Sequence, residues 1–141
     1  MKKISRHFYI QELVAPEWYA AHGDRCVDFI NPNLPVTLDD LADNLNEAIV
    51  VNNWNISGPY KSSGLRAPDD VGAKLSTHKA GCTADAKFRS HTIQEVFNHI
   101  MSHPEKYPYI SRIESITVTP TWLHIEVSTL PRVGDIIVFN P

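Results

Sequence analysis

Apolar and polar residues along this chain repeat with two periods, and the change of period divides it. From Thr37, the stretch TLDDLADNLNEAI places Leu38, Leu41, Leu45 and Ile49 on one face, the 3.6-residue repeat of an amphipathic helix. Thr37 is the expected N-cap, with Asp40 three residues on as an acidic variant of the capping box. AIVVNNW follows with clustered β-branched residues, the composition of a strand. A second helix is expected over HTIQEVFNHIMSH. There Thr92 and Glu95 supply a capping box, and Ile93, Val96, Phe97, Ile100 and Met101 form one apolar stripe. Pro104 ends it. ADAKF, just before, reads as a short strand. Beyond Pro104 the period shortens to two. RIESITVT and TWLHIEV flank Pro120 and are expected to pair as a hairpin, with DIIVF as a third short strand.

The remaining segments are punctuated rather than periodic. Pro16, Gly23, Pro32 and Pro35 break the first 36 residues into short pieces, and Phe8, Tyr9, Trp18 and Tyr19 are expected to dock them on the core. Residues 55–77 hold Gly58, Pro59, Gly64, Pro68 and Gly72 and read as a loop. A loop of that length in a compact domain carries function or is disordered. There is no internal repeat. The order of elements predicts an α+β fold with a small, mostly antiparallel sheet flanked by helices. At 141 residues the chain is expected to form one domain, 1–141.

Composition narrows the function classes. Hydrophobic residues at 43% and charged residues at 21% are ordinary for a globular chain. A net charge of -3 argues against a nucleic-acid partner. No apolar run approaches a membrane span, so membrane insertion is not expected. The start MKKISRHFYIQEL has two lysines but no apolar block behind them and is a poor secretion signal. The expected location is therefore the cytoplasm when the protein is made. Cys26 and Cys82 read as free thiols rather than a disulfide.

The alternation in TWLHIEV carries the chemistry. Leu123, Ile125 and Val127 share the face suited to a core, so Trp122, His124 and Glu126 share the polar one. His124 and Glu126 point together, and a third histidine or carboxylate brought close would complete a zinc site. His78 and Asp85 in KLSTHKAGCTADAKF are the obvious suppliers. Three such ligands leave the fourth tetrahedral position to water, the arrangement of catalytic zinc. The metal, left net positive, acidifies its water and polarises a carbonyl. Cys82 lies between two of these residues and reads as a bystander. His91, His99 and His103 read as surface or capping residues.

SGLRAPDDVGAKLSTHKAGCTADAKF followed by WLHIEV resembles the superfamily of zinc D-alanyl-D-alanine carboxypeptidases and L-alanyl-D-glutamate endopeptidases, which shares its fold with hedgehog signalling domains. The resemblance spans roughly residues 8 to 128. Its signature, Ser-x-His-x-x-Gly-x-Ala-x-Asp and a later His-hydrophobic-acid, is met by Ser76, His78, Gly81, Asp85, His124 and Glu126, with Thr83 in place of the alanine. An upstream Ser-Gly-aromatic-Arg element is met by Ser63, Gly64 and Arg66, with Leu65 replacing the aromatic. The resemblance implies Zn2+ held by His78, Asp85 and His124, with Arg66 facing a substrate carboxylate or carbonyl. It also implies that Ser76 lines the substrate cleft and that Gly81 lets the loop turn between ligands. Many members place a general base three residues before the last histidine; that position is Thr121, which cannot accept a proton at neutral pH. Glu126, on the face of His124, is the expected substitute as catalytic base, or else a group that orients a ligand. The implied function is a phage endolysin-like zinc metallopeptidase that hydrolyses the stem peptides of bacterial peptidoglycan. It would be a D,D-carboxypeptidase or an L,D-endopeptidase, acting on the wall after release from the cytoplasm. The alternative is a zinc-containing binding protein on the same fold that recognises cell-wall peptide or a protein partner without cleaving it.

Overall fold

The computed structural model describes residues 1–70 and 72–141; Val71, within the expected loop, lies outside the described residues. Helix α1 (Pro16–His22) starts at a proline, whose missing N–H has no helical acceptor to lose in a first turn. The same reasoning moves the start of α2 (Asn33–Leu45). Pro35 sits inside its first turn rather than before it, so the helix begins four residues ahead of Thr37. Asn31 caps it, accepting from Asn33 N through Oδ1 at 3.0 Å and from Leu34 N through its carbonyl at 3.0 Å. Thr37, expected as the N-cap, is instead a buried helix residue. Asn46, with φ 50°, ends α2, so Ile49 lies beyond it.

AIVVNNW does not become a strand. Among the described residues its sheet-like pairing is one isolated bridge, Val50 to Lys87. Ile49 and Val51 bury their side chains, while the Asn52 amide donates to Val14 O at 3.0 Å and accepts from Ser63 N at 2.9 Å. Side-chain hydrogen bonds thus hold the segment where a ladder was expected. Helix α3 (Ile93–Ser102) carries its expected capping box: Glu95 N donates to Thr92 Oγ1 at 3.1 Å and Thr92 N to Glu95 Oε2 at 2.8 Å. Val96 and Ile100 are fully buried, but Met101 is 37% exposed, so the stripe is narrower than its sequence period. Near the N-terminus Phe8 is buried and Trp18 and Tyr19 pack on the core, whereas Tyr9 is exposed and does not dock.

Four strands, β1 (Thr83–Ala86), β2 (Ile110–Glu114), β3 (Leu123–Val127) and β4 (Ile137–Phe139), form one sheet in the order β1-β3-β2-β4. β3 is antiparallel to both β1 and β2, the latter being the expected hairpin, with a register irregularity between Ile110 and Arg112. β4 runs parallel to β2, so the sheet is mixed. The cause is local. β3 ends beside the start of β2, where Val127 pairs with Ile110, and β4 enters at that same end. Arg132 pins the connection by donating to the carbonyls of Tyr107, Ile110 and Pro104 at 2.7 to 3.1 Å.

One face of this sheet is the core. Ala84, Ala86, Ile113, Leu123 and Ile125 are fully buried with Leu38 and Leu41 of α2 and Val96 and Ile100 of α3. Each large side chain so buried contributes roughly 1.5–3 kcal/mol. The strict alternation of strands then sends Asp85, Arg112, Glu114, His124 and Glu126 to the other face. No helix among the described residues is long and apolar enough to cross a membrane.

Candidate metal centre

Register assembles the site. Asp85 of β1 lies directly opposite His124 of β3, and Arg112 of β2 opposite Glu126. His78 comes from the turn that leads into β1. Gly81 closes that turn with φ +73°, and its carbonyl accepts from Asn31 N at 2.9 Å. A Cβ on Gly81 would run into the carbonyl oxygen of Phe29, so glycine answers both a backbone and a packing demand. The backbone also ties the incoming loop to the sheet: Asp85 N donates to Ser63 O at 2.8 Å and Arg66 N to His78 O at 3.2 Å.

His78, Asp85 and His124 form a buried group whose three ligand atoms all lie within 4.8 Å of one another. His78 Nε2 is 3.3 Å from Asp85 Oδ2, and His124 Nδ1 is 2.9 Å from Asp85 Oδ1. A tetrahedral zinc with bonds of about 2.0–2.1 Å holds its ligand atoms about 3.3 Å apart. The donor set and spacing therefore fit a divalent metal. The outer contacts fit as well. His78 Nδ1 donates to the carbonyl of Gly64 at 3.0 Å, which keeps the Nε2 lone pair on the metal side. His124 Nε2 meets Glu126 Oε1 at 3.2 Å, which leaves Nδ1 facing Asp85.

Glu126 is itself held from several sides. Arg112 reaches it through Nε at 2.7 Å and Nη2 at 3.2 Å, and Thr77 Oγ1 donates to it at 3.1 Å. The Arg112 guanidinium also lies 4.1 Å from the centre of the Phe139 ring, which stacks β4 against this pair. The resulting charges are coupled. Burial works against ionisation of Asp85, yet its hydrogen bonds with His124 and His78 hold it well below the usual carboxylate range. Burial likewise opposes charge on His124, but Asp85 and then Glu126 raise it to about 9. Glu126 is brought down to about 2, against burial, by His124 and Arg112. The raised pKa of His124 favours its protonated form between the two carboxylates, so a cation bound at Nδ1 would compete with that proton.

The expected substrate residues lie at this centre. Arg66 donates through Nε to Ser62 O at 2.6 Å, and its Nη2 is 3.5 Å from Asp85 Oδ2. Ser76 Oγ accepts from His78 N at 3.3 Å. Both line a cleft of about 680 Å³ that also takes in Glu114, Trp122 and Phe139. A smaller hollow of about 310 Å³ adjoins it and shares Arg66, Asp85 and Trp122. Thr121 is exposed in the turn before β3 and is not part of the cleft wall. The Cys82 thiol donates to Thr77 O at 3.5 Å and lies outside the metal-ligand group.

Sequence reasoning missed three residues. Thr77 and Arg112 anchor Glu126, and Glu114 places Oε2 3.6 Å from His124 Nδ1. A signal existed for two of them. In RIESITVT, Arg112 and Glu114 alternate with Ile113, so pairing β2 with β3 puts both on the face of His124. No protein-family model, curated protein or solved structure matches this chain.

Proposed function

We propose that the chain is a zinc-dependent peptidase of the D-alanyl-D-alanine carboxypeptidase and L-alanyl-D-glutamate endopeptidase kind, with the hedgehog/DD-peptidase fold, acting on peptidoglycan stem peptides. The observation that carries this reading is the His78–Asp85–His124 group at the foot of an open cleft, with the Arg66 guanidinium beside it. His78 Nε2, one Asp85 oxygen and His124 Nδ1 would hold the ion. Zinc, when bound, acidifies a water and polarises a carbonyl.

The chain's own residues do the rest. Gly64 and Glu126 fix the two imidazoles through their outer nitrogens. Arg112 and Thr77 fix Glu126, which makes it a positioning residue for His124. Arg66 stands where the two hollows meet and offers a planar cation to a peptide carboxylate or carbonyl. The cleft and the adjoining hollow, which share Arg66, Asp85 and Trp122, would together give room for a peptide beside the metal position. In the setting that the sequence resemblance suggests, the protein is phage-encoded, is made in the cytoplasm and meets the wall after release.

The test is direct. Zinc-loaded protein is incubated with purified peptidoglycan, and new amino and carboxyl termini are identified by mass spectrometry. Release of termini at one stem-peptide bond, abolished by a chelator and restored by zinc, is the expected result. One specific observation favours a second reading, a zinc-containing binding protein: Thr121 is a threonine and faces solvent. Saturable binding of stem peptide by zinc-loaded protein, with no new termini, would select it.

A further inference from the structure

We infer that Glu114 is the proton-accepting catalytic residue of this site, standing in from β2 for the acid missing at Thr121; the inference rests on the peptidase reading above. Three carboxylates approach the histidines, and their placements differ. Asp85 lies between His78 and His124 and is a ligand by position. Glu126 reaches His124 at Nε2, the nitrogen turned away from Asp85, and its oxygens are engaged by Arg112, Thr77 and that imidazole. Glu114 approaches the other nitrogen, with Oε2 3.6 Å from His124 Nδ1.

Its surroundings suit the role. The Glu114 side chain is 13% exposed and lines the main cleft. Among the described residues its carboxylate makes no hydrogen bond, its one polar contact being His124. Glu114 is not among the residues whose ligand atoms all lie within 4.8 Å, so it flanks the ligand group without joining it. Glu114 lines the same cleft as His78, Asp85 and His124, the cleft from which water would reach the fourth position of a zinc held by those three residues. β2 supplies the placement: its pairing with β3 carries Arg112 to Glu126 and, two residues on, Glu114 to the metal side of His124.

The step balances without another reagent. The water oxygen bonds to the peptide carbonyl carbon, and one water proton moves to Glu114. The C–N bond breaks, Glu114 passes that proton to the leaving amine nitrogen, and the second water proton leaves the new carboxylic acid. Glu114 is regenerated as a carboxylate.

Glu114→Gln and Glu126→Gln test this against wild type in the full chain, with four readouts: zinc stoichiometry, chelator competition, stem-peptide turnover, and azide titration of the cobalt-loaded protein by visible absorption. Glu114→Gln should hold one zinc with affinity within about threefold of wild type and lose at least about 100-fold in turnover. Removing a negative charge beside the open position should tighten azide binding at least about fivefold. Glu126→Gln should lose about 10- to 100-fold in zinc affinity, the loss that marks a residue positioning a ligand and that Glu114→Gln should not show. Turnover by Glu114→Gln within about tenfold of wild type overturns the catalytic role. Loss of zinc from Glu114→Gln makes it a ligand and overturns the role also, and unchanged azide affinity overturns the placement. A zinc-loaded wild type that cleaves no stem peptide removes the catalytic role together with the peptidase reading, and the azide arm then still reports where Glu114 stands.

Discussion

Replacing Gly81 by alanine should damage the metal centre and the fold together. Two costs add. The residue sits at φ +73°, where an L side chain costs roughly 1–2 kcal/mol. Its new methyl group would also collide with the Phe29 carbonyl oxygen, and overpacking of that kind costs about 1–3 kcal/mol. Phe29 has little room to retreat, because Asn31, two residues on, both caps α2 and donates to the Gly81 carbonyl. The sum, about 2–5 kcal/mol, is a large part of a total stability of about 5–15 kcal/mol. Gly134→Ala isolates the first cost, since Gly134 has φ +86° but nothing within 4 Å of the point where an added methyl group would sit. Urea unfolding of both variants, fitted with wild-type m-values, should show Gly81→Ala losing about 1–3 kcal/mol more than Gly134→Ala. Chelator competition should show weaker zinc binding for Gly81→Ala alone, because the Gly81 turn carries His78 toward Asp85. If the two variants lose equal stability, the steric argument is wrong.

Three further outcomes follow from the same geometry. Asp85→Asn should lower zinc affinity by at least about 100-fold in chelator competition while the circular dichroism stays folded; full zinc retention would remove Asp85 from the ligand set. Metal-free protein should be most stable near pH 5–6.5. Asp85 and Glu126 have folded pKa values below their unfolded ones, so their contribution is present above about pH 4.5 and is lost as pH falls toward 2; His124 is raised to about 9, so its contribution is present below about pH 6.5 and is lost as pH rises through 9. Urea midpoints measured from pH 2 to 10 would contradict this if stability climbed steadily above pH 7. Lys87, brought down to about 8 by burial, donates from Nζ to Val51 O, Ser63 Oγ and Asp85 O at 2.7 to 2.9 Å, so Lys87→Met should cost about 2–4 kcal/mol in urea unfolding; a loss under about 0.5 kcal/mol would show those acceptors are satisfied otherwise.

Much of the site was legible because it depends on local periodicity. The alternation in TWLHIEV put His124 and Glu126 on one face and Leu123, Ile125 and Val127 on the other, and the burial of those three with the core bears this out. The capping box of α3 is a contact within one turn, and Thr92 and Glu95 make it as read. Misreadings came where tertiary contacts override local preference. Pro35 looks like a breaker but sits in a first turn, where a proline N–H is not needed. AIVVNNW has the residues of a strand, yet Asn52 is held by Val14 and Ser63 instead of a neighbouring ladder. Glu114 and Arg112 were visible as a polar alternation in RIESITVT. Their meaning needed the β2–β3 register, which a sequence pattern alone does not set.

The pairing of Asp85 directly opposite His124 has a consequence beyond chemistry. Sliding β1 by one residue along β3 would turn Asp85 toward the leucine and isoleucine side. Sliding it by two would set Asp85 against Glu126 or Trp122 and scatter the donors. An ion bound by His78, Asp85 and His124 would therefore proofread the alignment of the two strands. It would reward one zipper position among several that backbone hydrogen bonds alone would accept, so metal supplied during refolding should raise the yield of correctly aligned chains as well as stabilise them once formed.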